Sequence, residues 1–141
     1  MIKLIIGKEG SGKTRQLIQE ANDAVKSTKG HIVYIDIDNS SMFQIDYKIR
    51  FMGLRDYQIE NEQEFYGCLC GVIASNYDVE SIYIDGLVKI TNKSLDEMEN
   101  FFRKVDSLEI RYNVNFIFAL SVDEVEELPE FLKKYMISEV E

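Results

Sequence analysis

The chain has 141 residues, 45% of them apolar and 29% charged, proportions that suit one soluble globular domain with a single core. Its formal net charge of −9, from 25 acidic against 16 basic residues, opposes nucleic acid and anionic lipid as partners, since no local basic patch overrides it. No apolar run approaches the roughly 20 residues of a membrane helix, and no secretory signal precedes the first strand-like run, so the expected location is the cytoplasm.

In chain order, Ile2 to Ile6 is an apolar run ending at a glycine, as in a buried parallel strand. After a glycine-rich stretch, Leu17, Ile18, Ala21, Ala24 and Val25 recur at helical spacing, and Lys26, Lys29 and Gly30 are stop signals. "IVYIDI", residues 32–37, reads as a second strand. From Phe43 to Phe51 apolar and polar residues alternate strictly. That period predicts a half-exposed strand at the edge of the sheet, either solvated or in contact with another copy or a protein partner.

Asn61 with Glu64 forms a capping-box pattern before a helix whose apolar face is Phe65, Leu69, Val72 and Ile73. "SIYID", residues 81–85, is a buried strand. Ser94 with Glu97 opens a helix running to about Ile110, and "VNFIFAL", residues 114–120, is a further central strand. Glu127 to Tyr135 reads as a short helix and Met136 to Val140 as a last strand. Strands alternating with helices predict an α/β fold: one three-layer domain over residues 1–141, with a mostly parallel sheet covered on both faces. Cys68 and Cys70 point in different directions on a helix and are expected as free thiols; His31 and the acidic Glu124–Glu127 cluster are expected at the surface.

The chemistry concentrates in "GKEGSGKT", the pattern G-x-x-x-x-G-K-T from Gly7 to Thr14. Gly7, Gly10 and Gly12 let the backbone curl, so that the N–H groups of Lys8, Glu9, Gly10, Ser11, Gly12 and Lys13 can form an anion nest. The Lys13 ammonium would neutralise the β- and γ-phosphates, the Thr14 hydroxyl would coordinate magnesium, and the helix start adds its positive dipole end. Arg15 follows directly and can touch phosphate or ribose, or lie on the helix surface. Asp85, a carboxylate closing an apolar strand, is the candidate second group on the magnesium side.

These residues resemble the RecA-like branch of the P-loop NTPases, with "GKEGSGKT" matching Walker A and "SIYIDG" matching Walker B. The resemblance covers most of the chain as an order of strands. It implies ATP and Mg2+ as cofactors, and a sheet in which 114–120 lies between the P-loop strand and the Walker B strand. It also implies an acidic water-polarising residue at the end of the second strand, where "VYIDID" offers Asp38 with Asp36 as the weaker alternative. A polar residue near the γ-phosphate is implied at Ser121. The sequence departs from the pattern in carrying aspartate rather than glutamate at 38, Gly86 after the Walker B aspartate, and a serine in place of an amide at 121. No arginine can be assigned as a transition-state finger.

Three functions suit these residues: a slow magnesium-dependent ATPase, a small-molecule or nucleotide kinase, and an ATP-binding interaction module without hydrolysis. The arginine-bearing lid usual in nucleotide kinases is not seen. No guanine-reading N-K-x-D motif occurs either, because Leu95 stands where "TNKSLD" would need its aspartate.

Overall fold

β-branched or aromatic residues occur in all six strands of the computed structural model, which describes residues 1–140. In chain order the elements are β1 (Ile2–Gly7), α1 (Lys13–Val25), β2 (His31–Asp36), β3 (Arg50–Gly53), α2 (Glu62–Ser75), β4 (Val79–Asp85), α3 (Leu87–Thr91), α4 (Glu99–Tyr112), β5 (Asn115–Ser121) and β6 (Met136–Val140). All these strands are parallel, in the order β3-β2-β4-β5-β1-β6. β5 therefore lies between β1 and β4, the sheet order that the RecA-like resemblance implies. In register, Gly7 faces Ser121 and Asp85 faces Ala119.

Alternation along β1 assigns the two faces. Ile2, Leu4 and Ile6 join the larger core beneath α2, α3 and α4, and Ile5 points into a smaller core beneath α1. Phe102 centres the larger core, with Phe101, Phe118, Phe131 and Tyr135 around it. On the other face, α1 brings down Leu17, Ile18 and Ala21. One helix is too narrow to cover six strands, and the uncovered area is closed by Ile45 and Ile49, both buried.

That closure corrects the reading of residues 43–51. An edge strand is present, but it is Arg50–Gly53, paired with β2 alone. Ahead of it the chain makes a 3-10 turn at Met42–Gln44 and a second turn in which Ile49 N donates to Asp46 O. The alternating apolar residues do not share a face: Ile45 and Ile49 point inward, whereas Phe43 and Tyr47 are 92% and 89% exposed. The physical reason is Asn22 on α1. Its amide Nδ2 donates to Gln44 O and its Oδ1 accepts Asp46 N, both at 2.9 Å, supplying the partners a neighbouring strand would give.

Other expectations shift by small amounts. Asn61 caps α2 by accepting Glu64 N, but Glu64 reaches back to Glu60 N, one residue before the expected position. The Ser94 helix is split into a 3-10 turn at Leu95–Glu97 and then α4. Residues 127–135 form 3-10 turns rather than an α-helix, and α3, a single five-residue helix, is additional. Cys68 and Cys70 are free and half-buried, and His31 is exposed, with Nδ1 against the Asn76 amide. Among the described residues no helix is long and apolar enough to cross a membrane.

Candidate functional site

The carboxyl ends of β1, β2, β4 and β5 open onto a cavity of about 660 Å³, within the range of small-molecule sites. Glu9, Gly10, Gly12, Lys13, Thr14 and Arg15 contribute to its wall from the glycine-rich loop and the start of α1. Gly7, Lys8 and Ser11 build the turn behind that wall. Gly10 and Gly12 hold φ of +77° and +102°, a region a side chain would strain, and Gly12 hands the chain directly into α1. Gly7 is fixed by close approach: a Cβ there would lie 2.5 Å from Ser11 Oγ and 2.8 Å from the Val140 carbonyl oxygen of β6. Ser11 Oγ is buried and makes no hydrogen bond.

Lys13 is buried, and its Nζ donates to Lys8 O at 3.0 Å, so the ammonium lies back over the loop. The next residue reaches across the sheet, where Thr14 Oγ1 donates to Asp85 Oδ2 at 2.7 Å. Asp85 closes β4, and Gly86, at φ +78°, turns the chain into α3. The hydroxyl and carboxylate singled out on the magnesium side are thus in contact across 71 positions of sequence.

The two acidic candidates at the end of β2 occupy different surroundings. Asp36 is the last residue of β2 and is 7% exposed. Burial, with the neighbouring Asp85 and Asp38 charges, pushes its carboxyl up to about 6. The Ile37 N–H, donating to Oδ1 at 2.7 Å, and the Lys89 charge oppose that rise. Asp38 lies beyond the strand. Its Oδ1 accepts Ser40 N at 2.9 Å and its Oδ2 accepts Arg55 Nη2 at 3.3 Å. Hydrogen bonds from Ser40, then the Arg55 and Lys89 charges, hold its carboxyl below the usual carboxylate range. Gly53 lets this turn pass close over the edge strand, since a Cβ would lie 2.9 Å from the Asp38 carbonyl oxygen. Both aspartates line the cavity, but β2 ends at Asp36, so the two do not share a strand face.

Ser121 lines the cavity at the end of β5, where its Oγ donates to Glu9 Oε2 at 3.4 Å and Val122 N donates to Gly7 O. Arg15 lines it from the exposed first turn of α1. Lys89 of α3, to which the sequence motifs assign no role, also lines the cavity. The only signal for it in the sequence is its position four residues after Asp85.

Among the described residues no three His, Cys, Asp or Glu side chains are grouped to hold a metal alone. A hydroxyl beside carboxylates is a hard oxygen set. It fits a magnesium ion that takes its remaining oxygens from phosphate and water, as that ion commonly does.

No protein-family model and no curated protein sequence matches the chain. Among solved structures it is similar to the flagellar accessory protein FlaH from Methanocaldococcus jannaschii, with a TM-score of 0.56 and 15% identity. The match covers 94% of this chain, which spans 65% of that one. At that identity the likeness concerns the fold: a three-layer α/β domain with an all-parallel six-stranded sheet, consistent with a RecA-like domain.

Proposed function

We propose that this chain binds a magnesium–nucleoside triphosphate, ATP in the first instance, and hydrolyses it slowly. The observation that carries the reading is the 2.7 Å bond between Thr14 and Asp85 at the mouth of the strand-end cavity. A phosphate loop formed by chance has no reason to bring its hydroxyl to a carboxylate on a distant strand.

In this reading the polyphosphate lies on the loop amides and the α1 N-terminus. The Lys13 ammonium exchanges a neutral carbonyl for anionic oxygens, whose charge-assisted bonds are roughly twice as strong. Thr14 and Asp85 would hold the magnesium ion, which supplies charge neutralisation to the transferring phosphoryl group. Water attacks the terminal phosphorus, the β,γ-anhydride bond breaks, and ADP and inorganic phosphate leave.

The attacking water must lose a proton. Asp36 is better suited to take it than Asp38. Its raised carboxyl is mostly ionised at pH 7.5 yet more basic than an ordinary aspartate, while both Asp38 oxygens already accept bonds. Ser121 remains the polar group at the end of β5. Among the described residues Arg15 is the one arginine lining the cavity. It sits on an exposed turn, so no cis arginine is fixed against the terminal phosphate. Turnover should therefore be slow, on the order of 10⁻³ s⁻¹ or below, in the range of unassisted P-loop hydrolysis.

Phosphate release from ATP with magnesium, measured over hours, tests this reading. Slow release above the magnesium-free background, absent in Lys13→Ala, is expected. Tight nucleotide binding without release would replace it by the non-hydrolysing module, and magnesium-dependent transfer to an added nucleoside by the kinase.

A further inference from the structure

We infer that Lys89 contacts the terminal phosphate of the bound nucleotide and gives the site its preference for a triphosphate over a diphosphate. This rests on the nucleotide-binding reading above and adds a residue and a specificity to it.

The placement is fixed by α3. Gly86 starts the helix directly after Asp85, Leu87 and Ile90 anchor it in the larger core, and Thr91 Oγ1 bonds back to Leu87 O at 2.8 Å. Lys89 stays exposed on this short, anchored turn and lines the cavity from the strand-end side, away from the P-loop wall.

The charges around the cavity give that position its meaning. Four carboxylates line it, those of Glu9, Asp36, Asp38 and Asp85, against three cations, Lys13, Arg15 and Lys89. Lys13 and Arg15 both belong to α1. Asp36 and Asp85 close the neighbouring strands β2 and β4, so a phosphate brought beside them would meet their charge. Lys89 is the cation on that side. Its ammonium makes no ion pair or hydrogen bond among the described residues, unlike Arg55, which is committed to Asp38. Its charge also acts on both Asp36 and Asp38, so the ammonium lies near the two acids at the cavity wall. The preference follows where the third phosphate reaches this ammonium and the second does not.

The test compares affinities for ADP and for a non-hydrolysable ATP analogue, each with magnesium, in wild type, Lys89→Ala and Lys89→Arg. Removing one charge-assisted contact should weaken the analogue about tenfold in Lys89→Ala. ADP affinity should stay within about twofold, and Lys89→Arg should restore most of the preference. Because Lys89 is exposed and unpaired, the variants should melt with wild type, which a thermal scan checks. Equal weakening of both ligands, or an unchanged preference in a folded Lys89→Ala, would overturn the inference while leaving nucleotide binding standing. A wild type that binds neither ligand would remove both.

Discussion

Replacing Lys13 by alanine should weaken magnesium–ATP binding by about 100-fold or more while leaving the fold intact. The size follows from what the ammonium would meet. Hydrogen bonds to charged groups contribute roughly 1.5–3 kcal/mol, and a 100-fold loss corresponds to about 2.7 kcal/mol. The selectivity follows from what Lys13 does without ligand. Its ammonium bonds to Lys8 O, and that carbonyl also accepts Ser11 N at 3.0 Å. Alanine therefore leaves no orphaned backbone group, and it removes a buried cation from the first turn of α1, where the helix dipole disfavours one. A fluorescent-nucleotide titration run beside a thermal melt separates the two effects. Lost affinity with an unchanged melting temperature is expected; joint loss of both would mean that Lys13 is a packing residue.

Asp36→Asn should stabilise the nucleotide-free protein at pH 7.5 and abolish hydrolysis. The native carboxyl titrates near 6 rather than 3.8, so between those values the folded state keeps a proton the unfolded chain has lost. Stability then falls as pH rises from about 4 to about 6 and is constant above that. The cost of holding the charged carboxylate in the fold is at most about 3 kcal/mol. An asparagine carries no charge to bury, and its Oδ1 can still accept the Ile37 N–H. The variant should therefore melt higher by on the order of 5 °C at pH 7.5 and lose the decline between pH 4 and 6. Phosphate release should drop by roughly 100-fold or more through loss of the proton acceptor. Parallel melting curves for both proteins across pH 4.5–8 would contradict this account of Asp36, as would a variant that hydrolyses normally.

The central sheet was legible because its determinants are local. The buried strands are short apolar runs closed by Gly7, Asp36, Asp85 and Ser121, and Gly7–Thr14 places a fixed pattern between a strand and an amphipathic helix. Thr14 and Asp85 could be named for the same reason, each lying at a defined step from its motif. Residues 43–49 could not be read this way. Their alternation is a strand signal, and what overrides it is Asn22, more than twenty positions earlier, reaching the backbone at Gln44 and Asp46.

Asp36 and Asp38 alternate as if on one strand face, yet β2 ends at Asp36. "VYIDID" gives no mark of where the strand stops; the stop is set by β3, whose following residue Leu54 donates to Asp36 O, and by the Asp38–Ser40 turn over Gly53. Lys89 was invisible because five residues of helix are too few to show a period.

Nucleotide binding itself is measured most directly by titrating ATP with magnesium into the folded wild-type chain in a calorimeter. A saturable heat with one site per chain, lost when magnesium is withheld and when Lys13 is replaced by alanine, is the expected result. No heat at millimolar nucleotide, from a sample whose cooperative melt shows it to be folded, would contradict a phosphate-holding role for Gly7–Thr14.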